Sequence, residues 1–127
     1  MSQVVAEEDT YADGTTLVNL LGTPARVRIL AVLTSETDRD LNPTQIMEQA
    51  GIGSTAFYDH IDDLRAWGLV EKTRMAGNSP MFRLNTDSEA AQYLGKLEWA
   101  LIEHTVEKEE AGELDENNQP ILPEDAR

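Results

Sequence analysis

LNPTQIMEQAGIGSTAFYDHIDDLRAWGLVEKTRMAGNSPMFRL, residues 41–84, carries its own punctuation, and that punctuation decides the fold. Asn42-Pro43 opens it: asparagine is a favoured helix N-cap, and proline at the first helical position gives up an amide that has no partner there. Ile46, Met47 and Ala50 follow on one face at helical spacing. Gly51 reads as a left-handed stop, with Ile52 as the apolar residue that folds back onto the helix. After a tight turn, Gly53 or Ser54 caps a second helix whose apolar set is Ala56, Phe57, Ile61, Leu64 and Trp67, with Gly68 as its end. Leu69–Met75 and Met81–Leu84 read as two strands joined by the turn Ala76-Gly77-Asn78-Ser79-Pro80. Helix, turn, helix and hairpin in that order predict a winged helix-turn-helix, mainly α with a small β-hairpin wing.

Size agrees with one such domain. A chain of 127 residues folds around a single core, and more comfortably as a dimer. Its longest apolar run, Ile29–Leu33, is five residues, against roughly 18 for a membrane span. The N-terminus lacks the charged-then-apolar layout of a secretory signal. Without cysteine there is no disulfide framework and no thiol-based metal or redox site. The expectation is a cytoplasmic protein with no cofactor and no membrane contact.

Charge is the second signal, with 24 acidic against 10 basic side chains. Residues 1–13 hold four acids and no base, and residues 98–127 hold ten acids and two bases. The middle is nearly balanced, with ten acids and eight bases over residues 14–97. From Arg65 to Leu84 stand Arg65, Lys72, Arg74 and Arg83 against the single acid Glu71, so the wing reads as a positive strip on an acidic body. Lysine is scarce, three against seven arginines, and acids also dot the folded part. Such a surface suits a cytoplasm near salt saturation; acidic tails on an ordinary mesophilic protein are the alternative.

The flanks organise around the central motif. Residues 1–13 read as a disordered acidic arm and residues 14–87 as the winged helix-turn-helix domain. Within the latter, Thr15–Leu21 gives a short helix with Leu17, Leu20 and Leu21 on one face. Thr23-Pro24 repeats the cap-plus-proline device before a largely buried helix, Ala25–Leu33. Residues 88–110 form a long C-terminal helix, and residues 111–127 a flexible acidic tail. Two apolar stripes run along the long helix: Ala90, Leu94, Leu97 and Leu101 on one, Gly95, Trp99, Ile102 and Val106 on the other. At about 100° per residue their centres lie too far apart for one packing partner. One stripe covers the chain's own core, together with the Leu17/Leu20 helix. The other meets a two-fold copy of itself, which makes Leu17, Leu20, Leu94, Leu97, Trp99, Leu101, Ile102 and Val106 the expected homodimer interface. A single wide stripe buried within a monomer is the competing arrangement.

The segments LGTPARVRILAVL (21–33) and LNPTQIMEQAGIGSTAFYDHIDDLRAWGLVEKT (41–73) resemble the winged helix-turn-helix transcriptional regulators of the ArsR/MarR-like superfamily. Pro24, Arg26, Ile29, Leu30, His60, Leu64, Gly68, Leu69 and Val70 fall on the marks of that pattern, which covers residues 15–85. The resemblance implies DNA binding by a homodimer with a long C-terminal dimerisation helix. The acidic surface points to haloarchaeal members, among which small stress-responsive regulators, the reactive-oxygen-species type included, are similar in size and layout. Metal-sensing members use cysteine, or histidine with carboxylates; this chain offers only His60 and His104.

Contacts to double-stranded DNA follow from the faces left free. Ser54, Thr55, Tyr58 and Asp59 are the side chains the second helix presents to base edges in the major groove. Thr44 and Gln45 sit at the start of the preceding helix, beside phosphates. Arg74 and Arg83, with Asn78 and Ser79 at the turn, lie along the neighbouring minor groove, and Lys72 adds to the positive strip. Arg26, Arg28 and Arg65 serve phosphates or pair with local carboxylates, and His60 packs half-buried or touches a phosphate. Asp59, Asp62 and Asp63 would face phosphates, so cations bridging the two are expected. The expected activity is repression from an inverted-repeat operator. A winged helix that binds protein instead of DNA is the alternative, kept alive by the negative total charge. Enzyme chemistry finds little support: there is no Gly-rich phosphate loop, and Asp59 and His60 point about 100° apart on a helix.

Overall fold

The computed structural model of the chain describes residues 10–123 and 125. A 3-10 turn at Tyr11–Gly14 leads into five helices and one hairpin: α1 (Thr16–Leu21), α2 (Pro24–Ser35), α3 (Pro43–Ala50), α4 (Ser54–Ala66), β1 (Val70–Ala76), β2 (Ser79–Leu84) and α5 (Glu89–Glu110). This is mostly helical architecture with a two-stranded antiparallel wing, as the punctuation predicts. No helix of the described residues is long and apolar enough to cross a membrane.

Local chemistry explains the helix ends. Asn42 and Gln45 form a reciprocal capping box: Asn42 Oδ1 accepts from the Gln45 amide at 2.8 Å, and Gln45 Oε1 accepts from the Asn42 amide at 2.9 Å. Gly51, at φ 69°, terminates α3 in the left-handed region, and the Ile52 amide reaches back to the Met47 carbonyl at 3.1 Å. Thr23 precedes α2 but makes no side-chain cap, so there the fixed backbone of Pro24 is what remains of the expected device. Gly53, not Ser54, is the cap of α4, and it too offers no side-chain acceptor to the first turn.

The core lies where α2 packs against α3 and α4, with the wing closing one side. Ile29, Leu30 and Leu33 of α2 meet Ile46 and Ala50 of α3 and Phe57, Ile61 and Leu64 of α4, all buried. The Phe57 ring meets Phe82 of β2 edge to face, centroids 6.0 Å apart. Leu41 adds a third strand position to the hairpin, exchanging both backbone hydrogen bonds with Phe82 at 2.8 Å. The hairpin turns on Gly77-Asn78 alone, shorter than the expected turn, with Gly77 at φ 63° supplying the positive dihedral that twist-matched hairpins need. Its register slips by one residue between Lys72 and Arg74, leaving Thr73 as a bulge.

One expectation is corrected. Trp67 is not in the core: α4 ends one residue before it, and it stands 43% exposed because the chain has begun its turn into Gly68. Along α5, Ala91 is the one buried residue, while Leu97, Trp99, Leu101, Ile102 and Val106 are exposed. The acidic arm expected over residues 1–13 lies outside the described residues up to residue 9; Tyr11–Gly14, which overlaps its end, is a turn whose cap Thr10 bonds Asp13. The tail after α5 is exposed but carries its own bonds. Asp115 Oδ1 accepts from the amides of Asn117 and Gln119 at 2.8 and 3.0 Å, and Leu114 bridges to Pro120. The chain divides into two compact units after Ala91, within α5.

Replacing Phe57 with alanine removes a fully buried ring and is expected to lower unfolding stability by about 3–5 kcal/mol. Trp67→Ala, despite its larger side chain, is expected to cost less than ~1 kcal/mol. Urea unfolding of both variants checks the ranking, and a reversed order would return Trp67 to the core.

Candidate nucleic-acid interface

Burial of Phe57, Ile61 and Leu64 commits one face of α4 to the core and leaves the other in solvent. On that outer face Ser54, Thr55, Tyr58, Asp59, Asp62 and Arg65 are all exposed, Tyr58 by 58%. The uncapped first turn of α4 places backbone N–H groups beside Ser54 and Thr55. Hydroxyls at one end of a helix and a phenol one turn on form a polar row able to donate to or accept from base edges. Thr44 is exposed at the start of α3, whereas the Gln45 side-chain oxygen is taken by the cap.

His60 and Arg26 belong to an internal network. The Arg26 guanidinium donates from Nε to His60 Nδ1 at 3.1 Å, from Nη1 to the Asn19 carbonyl at 2.8 Å, and from Nη2 to Asp63. One side chain thereby ties α1 and α2 to α4. Accepting at Nδ1 places the ring proton of neutral His60 on Nε2. His60 is half-buried, with its Nδ1 taken by Arg26. Arg28 is likewise occupied, donating to the Ala50 carbonyl at the end of α3 at 2.9 Å.

The wing is less positive than its sequence window suggests. Arg83 faces Glu71 across the strands at 3.4 Å, and Arg65 pairs with Asp62 at 2.9 Å. Arg74 is held by Asp40, from the loop before α3: Nε to Oδ2 at 3.0 Å and Nη2 to Oδ1 at 3.2 Å. The bulged Thr73 donates its hydroxyl to the same carboxylate. Hydrogen bonds from Arg74 first, and from Thr73 second, hold the Asp40 carboxyl down at about 2. Asp40 and Asp62 supply the negative charge from outside the window 65–84, so the expected positive strip is largely neutralised. Lys72 is exposed with no ion pair among the described residues, and Asn78 is exposed and Ser79 half-buried at the turn. Every arginine among the described residues donates to a partner in the chain.

Of the residues expected at a dimer interface, Leu17, Leu97, Trp99, Leu101, Ile102 and Val106 are exposed, while Leu20 and Leu94 are half-buried. His104 is exposed, and among the described residues no three His, Asp or Glu side chains are grouped to hold a metal ion. Asp40 and the Arg26–His60–Asp63 network are what sequence reasoning missed. Their members are 34 and 37 positions apart in the chain, beyond any local pattern.

No protein-family model matches the chain, and no curated protein does. Solved structures match its fold. It is similar to a MarR-family transcriptional regulator from Silicibacter pomeroyi, with 22% identity and a TM-score of 0.53 over 66% of this chain, and it spans only 55% of that regulator. It is also similar to the homodimeric winged helix-turn-helix DNA-binding domain (fragment 1–100) of Mb0332 from Mycobacterium bovis, a possible ArsR-family regulator. There identity is 21% and the TM-score 0.54, covering 84% of this chain and 94% of that one. The transcriptional repressor BigR from Xylella fastidiosa is 25% identical with a TM-score of 0.51, covering 75% and 91%. These likenesses establish a winged helix-turn-helix fold shared with transcriptional regulators.

The Asp40 contact carries a pH signature. Its carboxyl is depressed in the folded chain, so the contact stabilises fully above the unfolded value of about 3.9. That stability is lost as pH falls through the folded value of about 2. Asp40→Asn is therefore expected to be less stable than the wild type at neutral pH, with the difference closing across that acid window. Denaturant midpoints of both proteins from neutral pH downward test it; a gap that stays constant to pH 2 contradicts the assignment.

Proposed function

We propose that the chain is a sequence-specific, DNA-binding transcriptional regulator that acts as a homodimer on an inverted-repeat operator. The observation that carries this reading is the polar outer row of α4, Ser54, Thr55 and Tyr58, exposed beside a β-hairpin wing while the inner row is buried. In this reading α4 enters the major groove, Thr44 and the uncapped start of α4 meet phosphates, and Lys72, Asn78, Ser79, Arg74 and Arg83 lie along the adjacent minor groove. Asp59, the one acid of this row with no partner among the described residues, borders that surface. Exposed apolar side chains on α1 and α5 supply a two-fold interface. Repression follows if a bound dimer occludes a promoter, as the name of the Xylella repressor would suggest by likeness. The acid-rich, lysine-poor composition supports work in a high-salt cytoplasm and, with the resemblance to haloarchaeal regulators, a role in stress response.

Because the described arginines are already paired, few cations on this face are free to displace counterions from DNA. Cations bridging Asp59 and neighbouring carboxylates to phosphates would offset the repulsion that remains. The same pairing favours a second reading, a winged helix that binds a protein partner and no nucleic acid.

Mobility shift with genomic fragments separates the two, since only the DNA reading gives a retarded, competable complex. Thr55→Ala and Tyr58→Ala are expected to weaken such a complex by about 1–3 kcal/mol each without lowering thermal stability. Between low and molar potassium chloride the affinity is expected to stay flat or rise; a steep monotonic loss contradicts cation bridging. In sedimentation the wild type is expected to be a dimer and Ile102→Asp a monomer. A monomeric wild type would remove the two-fold reading.

A further inference from the structure

Arg74 stands out among the wing cations by how its partner holds it. Asp40 occupies the Nε–Nη2 edge of the guanidinium with two parallel hydrogen bonds, at 3.0 and 3.2 Å. That edge is the fork by which arginine grips a phosphate. The carboxylate is anchored from behind, since Thr73 donates to it and its residue adjoins Leu41, which is locked to Phe82 by two backbone bonds of 2.8 Å. Burial is unequal: the Asp40 side chain is 15% exposed and that of Arg74 61%. The anion is thus a fixed part of the fold, and the cation is the member free to leave.

We infer that Asp40 is a built-in competitor for DNA at the wing, occupying Arg74 in place of a phosphate so that the duplex engages this arginine only by displacing the carboxylate. This rests on the DNA-binding reading above and deepens it. A phosphate brought to the remaining guanidinium edge would lie close to the Asp40 charge and be repelled by it, so both anions cannot be accommodated at full strength. Ordinary backbone attraction is thereby muted at the wing. Discrimination is left to the polar row of α4, and a site that positions the wing well is favoured over any that merely offers phosphates.

The test is a thermodynamic cycle on a duplex recovered by the mobility-shift selection. Asp40→Asn keeps the shape and removes the charge. It is expected to bind at least about fivefold tighter at low salt, and its plot of log affinity against log salt is expected to steepen by about one unit, the signature of one added phosphate contact. Adding Arg74→Ala to Asp40→Asn is expected to abolish both gains. Unchanged or weaker binding by Asp40→Asn overturns the inference while leaving the DNA reading intact, whereas absence of binding by wild type and variant alike overturns both. Should Asp40→Asn fold poorly, the wild-type chain suffices: its Asp40 carboxyl carbon signal is expected to shift when saturating duplex removes Arg74. A signal that does not move overturns the inference.

Discussion

Phe57, Ile61 and Leu64 are withdrawn from water on one side of α4, and each such burial contributes about 1.5–3 kcal/mol. The rest of the molecule is arranged by that constraint. A rigid helix with a buried stripe must present the opposite side chains at fixed angles, so Ser54, Thr55 and Tyr58 are held in register by residues that face the core. Phe82 adds the wing to the same core through its contact with Phe57, and Leu41 adds the loop before α3 through its bridge to Phe82. The α4 helix and the wing are consequently one packed body.

Charge is managed by pairing. On a chain of net charge −14, every described arginine is spent inside the fold: on carboxylates at Asp62, Asp63, Asp40, Glu71 and Glu36, or on carbonyls that end helices. Most of these pairs are exposed and each contributes little to stability. Their larger consequence is electrostatic: the face proposed for DNA carries few free cations, which at low salt would weaken binding and at high salt costs little, because screening has already removed long-range attraction.

What could be read from the chain was what is encoded locally. Asn42-Pro43, Gly51 and Gly77 act on their own three or four residues, so capping, helix arrest and hairpin turn were visible in order along the sequence. The alternation of buried and exposed positions in α4 was visible for the same reason, up to Trp67, where one residue of helix length decides between core and solvent. Candidate contacts on α4 needed only periodicity. The wing needed more: whether Arg74 is free depends on Asp40, 34 positions away, and that juxtaposition exists only once Leu41 has paired with Phe82. The α5 stripes were legible as apolar, but a stripe in sequence does not say what covers it.

Hydroxyl-radical footprinting of the protein on a fragment recovered from genomic selection tests the central claim most directly. Two copies of α4 and its wing on a common duplex predict two protected windows on one face of the DNA, related by a two-fold axis and centred about one helical turn, or a multiple of it, apart. A single unsymmetrical window, or none on any fragment, would contradict the placement of α4 as a paired reader of the major groove.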